Sequence, residues 1–280
     1  MFKIGFIDYF LDEWHSNHYP NWIKEASEGD MAVTHAFGLI DGPGNKLTNA
    51  VWCKKNNIVH CQTVEELIAA CDGLIVLSPN NPEMHLQLCE KALQSGKPTY
   101  VDKTFSPDLV TGEAIFAIAD RHGTPCYSAS ALRYASEYQG IDASAITALR
   151  SYGSGEFINY NVHQLEPLCM LMQVVPSRVL CLTGDKCVSM LVQFIDGRHA
   201  TVSIFEQGSG FKMDVCTSKG VTELTIQSDF FKAFIKVLVQ FFRDSKVPVP
   251  HAETLRIMAL REAGLRAAQT PGQWVDVPEQ

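Results

Sequence analysis

Residues 73–77 read Gly-Leu-Ile-Val-Leu, a short run without one polar side chain. A strand wetted on one side alternates apolar and polar residues. An unbroken apolar run marks a strand covered on both faces, as in the middle of a parallel sheet flanked by helices. A chain containing such a strand must supply neighbouring strands and helices for both faces, and the first half of this chain does so. Strand patterns fall at 3–8, 31–38, 58–61, 73–77, 99–102 and 126–128. Between them lie helical patterns at 20–26, with an open start, and at 45–56, 64–70, 84–94 and 107–122. Thr63 with Glu66 three residues on is a capping box for the third helix, and Gly96 is a stop signal for the fourth. Ser106 as N-cap with Pro107 at the first position is expected to open the fifth. Strand and helix in alternation predict an α/β architecture with a doubly wound parallel sheet.

The second half changes character. A helix is expected at 157–172, then strands at 178–182, 187–195, 200–207, 211–217 and 221–227, then helices at 230–242 and 252–268. Asp196-Gly197 and the segment 208–210 read as hairpin turns. This predicts a C-terminal α+β domain, a mostly antiparallel sheet with helices on one face. The boundary is expected near 123–130, giving domains 1–126 and 127–280.

Composition narrows the classes of function. With 46% hydrophobic and 19% charged residues, the chain has a real core. Its net charge of −8 argues against nucleic acid or an anionic membrane as the main partner. The first residues lack the basic start and long apolar core of a signal peptide, and no apolar run nears the roughly 20 residues that span a bilayer. Nine cysteines without a Cys-x-x-Cys pair, several inside apolar helical patterns, fit a reducing cytosol. The expectation is a cytoplasmic protein.

Open parallel sheets bind ligands beyond the carboxyl ends of their strands. There the chain carries Asp8, then Ser78-Pro79-Asn80, then Asp102-Lys103-Thr104. Together with His85, the segment 92–97 (Ala-Leu-Gln-Ser-Gly-Lys) and the tail Gly272-Gln273-Trp274-Val275, this ordered set resembles the signature of the Gfo/Idh/MocA oxidoreductases. The resemblance implies a Rossmann-type first domain binding NAD or NADP and a carbohydrate-like substrate. It assigns Asp8, Ser78, Pro79, Asn80, His85, Asp102 and Lys103 to the cofactor site. It also gives Lys103 a catalytic place, since an ammonium beside the reacting oxygen can stabilise charge developing on it. The family's second catalytic element is a histidine on the first helix of the second domain. Asn159-x-x-x-His163-x-x-Glu166 takes that place, and its spacings put all three on one helix face. His163 is the expected acid/base, Asn159 its companion, and Glu166, Arg133 and Tyr134 the expected substrate contacts. Lys103 and His163 are expected to meet across a crevice between the two halves. The resemblance also implies a homodimer or homotetramer through the C-terminal sheet, with Phe194 and Phe205 on the shared face.

The chain departs from the pattern at one place above all. The turn after the first strand should read Gly-x-Gly-x-x-Gly, letting backbone amides approach a pyrophosphate. Here residues 8–15 are Asp-Tyr-Phe-Leu-Asp-Glu-Trp-His, bulky and carrying three carboxylates that repel phosphate. Thr104 stands where the family has proline, and Asp41 is a weak candidate for the ribose-binding acid. Asp8, Asp12, His15 and His18 also invite a metal reading, as does the pair His163 and Glu166; no metal is assigned. Three functions compete: an NAD(P)-dependent dehydrogenase, a cofactor-free sugar-binding or regulatory relative, and a non-redox sugar lyase or isomerase. The joint presence of Lys103 and His163 favours an enzyme over a pure binder, and the obstructed turn favours the second or third function; the first is placed ahead because a nucleotide can be held by few phosphate contacts where its adenine and nicotinamide ends fit.

Overall fold

A computed structural model of the chain describes residues 1–208 and 210–279. They form two compact units. The first takes Met1–Ala129 and, from much later in the chain, Lys232–His251; the second takes Ser130–Phe231 and Ala252–Gln280.

The first unit is built on six parallel strands: β1 (Phe2–Asp8), β2 (Met31–Gly38), β3 (Val59–His60), β4 (Gly73–Val76), β5 (Thr99–Val101) and β6 (Cys126–Tyr127). Their order is β3-β2-β1-β4-β5-β6. The order reverses between β1 and β4, the switch point where such sheets open a crevice beyond their carboxyl ends. All four residues of β4 are buried, as an apolar run between two helical layers demands. Five helices connect these strands: α1 (Trp14–Ala26), α2 (Asn49–Asn56), α3 (Val64–Ala70), α4 (His85–Leu93) and α5 (Leu109–His122). Thr63 caps α3 as the sequence predicts, accepting from the Glu66 N–H. Three starts differ from expectation: α2 begins at Asn49 rather than 45, with Thr48 as its cap. The cap of α5 is Asp108, whose carboxylate takes the Thr111 N–H at 2.8 Å, while Ser106 bonds the Asp108 carbonyl instead. Helix α1 begins six residues before the expected 20, because Glu13 caps it and Pro20 is tolerated inside.

The second unit begins with two turns of 3-10 helix (Ala131–Tyr134, Ser136–Tyr138) and holds a seven-stranded sheet. The strands are β7 (Ile146–Ser154), β8 (Pro176–Thr183), β9 (Cys187–Phe194), β10 (His199–Phe205), β11 (Lys212–Thr217), β12 (Gly220–Thr225) and β13 (Trp274–Asp276), in the order β12-β11-β7-β10-β9-β8-β13. Helix α6 (Phe157–Met172) packs on β7 and β10. Helix α8 (His251–Gln269) lies on the same buried face, its Gly264 so close to Met190 that a Cβ there would sit 2.7 Å from the sulfur. Asp196-Gly197 does turn the β9–β10 hairpin. The segment 208–210, whose Ser209 lies outside the described residues, joins no hairpin: β10 and β11 do not pair, because β7 lies between them, parallel to β10 and antiparallel to β11. The inward positions of β7 include Ser151 and Gly153, which carry no apolar signal. The sheet is therefore mixed.

Helix α7 (Phe230–Asp244), expected in the second domain, belongs from Lys232 onward to the first unit. Its apolar face explains why. Phe242 covers Gly73 and stacks obliquely on Phe2 with centroids 5.7 Å apart. Phe241 meets Tyr127 edge-on at 4.8 Å, and Phe234 packs against Tyr19 and Tyr100. The expected division at 126/127 thus gives way to one at 129/130, with a returned segment.

Candidate active site

Three strand tips converge in the first unit. Asp8 closes β1 and is buried; its Oδ1 accepts the Tyr9 N–H at 2.7 Å and its Oδ2 has no hydrogen-bond partner. Burial, with Glu13 and Asp102 adding, pushes its carboxyl well above the ordinary range. Beyond β4, Ser78 adopts φ +82° and bonds the Asn81 carbonyl, turning the chain out of the sheet with Pro79 half-buried and Asn80 exposed. Beyond β5, Asp102 is buried, with Oδ1 2.9 Å from the Tyr100 hydroxyl, which is also 2.9 Å from the Ala129 carbonyl. The Asp102 Oδ2 has no hydrogen-bond partner, although the His15 ring nitrogen Nδ1 lies 3.7 Å away. Lys103 is 9% exposed and donates to the Pro79 carbonyl at 3.3 Å. Burial lowers its pKa below the usual lysine value, against the opposing pull of Asp102 and Glu13.

His85 was expected at the cofactor. It is wholly buried, with Nδ1 3.0 Å from the Phe105 carbonyl and Nε2 2.7 Å from the Leu77 carbonyl. Both ring nitrogens clasp the loops beyond β4 and β5, so His85 supports the strand tips rather than facing a ligand. Burial lowers its pKa despite those two bonds. Asp41 accepts the Asn49 N–H at the start of α2. Two of the four residues of the metal reading are engaged elsewhere. Asp12 is bound to the Leu47 N–H and Asn17, and His18 turns to the Trp14 carbonyl and stacks on the Trp14 ring. Among the described residues no group of three or more His, Cys, Asp or Glu is arranged to hold a metal ion.

The sequence did not reveal how the first turn is used. Glu13 is the N-cap of α1: its carboxylate accepts the N–H groups of His15 (2.8 Å) and Ser16, and the His15 Nδ1 lies 3.2 Å away. Burial opposes the charge, yet these bonds outweigh it and hold the Glu13 carboxyl below its usual pKa. A pyrophosphate does not fit this turn, because the amides that would receive it are already taken by a carboxylate. The one legible signal was Glu13 with Ser16 three residues on, a capping box with its residue types exchanged.

In the second unit, His163 is half-buried on α6 with Nδ1 2.7 Å from the Ser130 hydroxyl. Glu166 does not bond His163. It accepts the Ser130 N–H at 3.0 Å and the Arg133 guanidinium at 2.8 Å, and that guanidinium reaches Glu253 at 2.6 Å. Burial raises the Glu166 pKa although Arg133 opposes it. Glu166 and Arg133, expected to contact substrate, are thus committed to a buried ion network. Burial pushes the Tyr134 phenol up, and its ring lies 5.9 Å from the Arg133 guanidinium carbon. Asn159 is half-buried and donates to Glu156. Ser130, the link between His163 and Glu166, carried no signal in the sequence beyond its position as a 3-10 cap. Lys103 belongs to the first unit and His163 to the second. Phe194, expected on a shared outer face, points into the core; Phe205 is 38% exposed.

The strand order and the tip residues define a two-unit α/β protein of the dinucleotide-fold class. Residues 12–130 match the model of the Gfo/Idh/MocA family, described as an oxidoreductase family with an NAD-binding Rossmann fold. No curated protein matches it in sequence. Among solved structures it resembles scyllo-inositol dehydrogenase from Lactobacillus casei with bound NAD(H) and scyllo-inositol, at 15% identity over 99% of each chain with a TM-score of 0.79. It also resembles myo-inositol 2-dehydrogenase from Lactobacillus plantarum, at 16% identity over 99% of each chain and a TM-score of 0.79. GenD2 from gentamicin A biosynthesis, in complex with NAD, matches at 11% identity over 99% of this chain and 97% of that one, TM-score 0.80. At such identities the likeness is one of fold.

Proposed function

We propose that this chain is an NAD(P)-dependent oxidoreductase acting on a sugar, polyol or related hydroxy compound. The observation that carries the reading is Lys103: a buried ammonium at the tip of a central parallel strand, bonded to a carbonyl and not paired off by a bonded carboxylate. Burying such a charge is unfavourable, so its retention at a strand tip fits a role in chemistry. The structural relatives named above as inositol dehydrogenases support a polyol as substrate.

Oxidising a carbinol requires the hydroxyl proton to leave when the hydride does. A nicotinamide, when bound, supplies the hydride acceptor. In this reading Lys103 holds the reacting oxygen and stabilises its negative charge. His163, fixed by Ser130, takes the proton and returns it in the reverse direction. Asn159 orients a substrate hydroxyl after releasing Glu156. One observation favours the cofactor-free or non-redox alternatives, namely Glu13 at the N-terminus of α1.

Absorbance at 340 nm with inositols and a panel of sugars tests the proposal. Turnover that falls at least a hundredfold in both Lys103→Ala and His163→Ala, with the circular dichroism spectrum retained, is the expected result. No turnover by the wild-type chain with either NAD or NADP on the panel would refute it. The outer face of the second sheet, with Leu182, Leu191 and Phe205, is proposed to join subunits into a homodimer or homotetramer, which the solution mass checks. No helix among the described residues is long and apolar enough to cross a membrane. All nine cysteines are free, which supports a cytoplasmic setting.

A further inference from the structure

Helix α1 starts directly after the central strand β1, where a Rossmann-type turn delivers pyrophosphate to a helix N-terminus. Such an N-terminus has unpartnered N–H groups and a partial positive charge, which together attract an anion. In this chain an anion already sits there, and it belongs to the chain. Glu13, 7% exposed, accepts the first available N–H groups of α1, those of His15 and Ser16. The arrangement is pinned from several sides. The Glu13 N–H donates to the Ser16 hydroxyl at 3.3 Å, and that hydroxyl bonds the Leu11 carbonyl. The Leu11 N–H is held by Asn49 at 3.0 Å, and Asn49 is itself fixed by the carbonyls of Gly38 and Ile40. A second feature has the same sign: Asp8 and Asp102, both buried and electrostatically linked to the same cluster, each present an unpartnered carboxylate oxygen. Two buried carboxyl groups beside a capped helix, in place of N–H donors, are the reverse of a phosphate cradle.

We infer that Glu13 is a resident anion filling the phosphate subsite of this fold, so that a nicotinamide nucleotide bound by this chain gains no affinity from its pyrophosphate. The inference rests on the nicotinamide reading above. The affinity of the dinucleotide then comes from its nicotinamide and adenosine ends alone, and freeing the subsite adds the pyrophosphate's share.

The test is a fluorescence titration of the full chain with NADH and with reduced nicotinamide mononucleotide. Glu13→Ser is the variant, since serine caps a helix as well as any residue and is short and neutral; Glu13→Asn serves if the serine variant melts early. In Glu13→Ser, NADH is expected to bind at least tenfold tighter while the mononucleotide is unchanged. A wild-type chain that binds no nucleotide beside a variant that binds NADH also supports the inference. An NADH affinity that Glu13→Ser and Glu13→Asn both leave unmoved overturns it and leaves the dehydrogenase reading standing. If neither ligand binds the wild type or any variant, the inference and the dehydrogenase reading fall together.

Discussion

Replacing Arg133 by methionine removes the guanidinium that bridges Glu166 and Glu253. Deleting one partner of a buried ion pair costs about 3–5 kcal/mol, chiefly because the surviving charge is left uncompensated. Here the survivor that matters is Glu166, 3% exposed, which keeps only the Ser130 N–H. The Glu253 side chain is 21% exposed and can be rehydrated, so its half of the network contributes less. A loss of about 3–4 kcal/mol at pH 7.5 follows, or a fall in Tm of roughly 6–16 °C at about 2–4 °C per kcal/mol. The pH dependence carries the mechanism. Burial already raises the Glu166 pKa in the folded state, and without Arg133 it rises further. A carboxylate whose folded pKa lies above its unfolded value weakens the fold above the folded pKa, and that burden lifts as pH falls toward the unfolded value near 4.5. The deficit of Arg133→Met is therefore largest at pH 7.5 and shrinks toward pH 5. Urea denaturation followed by circular dichroism at both pH values measures it. Adding Glu166→Gln to the methionine variant should recover at least half of the loss, because no full charge then stays buried at that position. A loss below 1 kcal/mol, an equal loss at both pH values, or no recovery in the double variant would refute this account.

Gly73→Ala puts a Cβ 2.7 Å from the Phe242 ring and 2.9 Å from Phe2, so it should destabilise by about 1–3 kcal/mol. Combined with Phe242→Ala it should cost less than the sum of the two single changes, as denaturation of the double variant will show. His85→Phe removes the one N–H that the neutral imidazole gives to the Leu77 or Phe105 carbonyl and should cost about 1–3 kcal/mol at pH 8. Burial lowers the folded pKa of His85, so its contribution is complete above about pH 6.5 and is lost as pH falls through the folded pKa. The gap between wild type and variant should accordingly narrow in acid melts. Burial pushes the thiols of Cys53, Cys169 and Cys181 up to about 12 and raises several others. A thiol-specific disulfide reagent at pH 8 should therefore label Cys187 and Cys216, the two half-buried cysteines, and reach the rest only after unfolding.

Several elements were legible in the sequence because each carries its own periodicity. The run at β4, the Thr63 cap and the helix at α6 depend on which faces a segment buries, and that is written within the segment. The strand tips were legible too, since residues after a parallel strand line the ligand edge whatever the rest of the chain does. The start of α1 was not. Pro20 resembles a first-turn proline, and a glutamate as N-cap is outvoted by Ser, Thr, Asp and Asn in any reading by preference. Strand β7 was missed because two of its inward positions, Ser151 and Gly153, serve Gln164 and Phe211 of neighbouring elements rather than an apolar layer.

The sequence by itself determined the alternation of strands and helices in the first half, a change of architecture near residues 123–130, and which side chains stand at the strand tips. Tertiary structure alone decided that α7 returns to the first unit, that β7 inserts between β10 and β11, and that Glu13 occupies the helix end a phosphate would use. It also assigned Arg133 and Glu166 to each other across 33 residues and His163 to Ser130. The reason is physical: burial periodicity is a property of neighbours along the chain, whereas the choice of partner is made by surfaces and charges that meet only once the chain has folded.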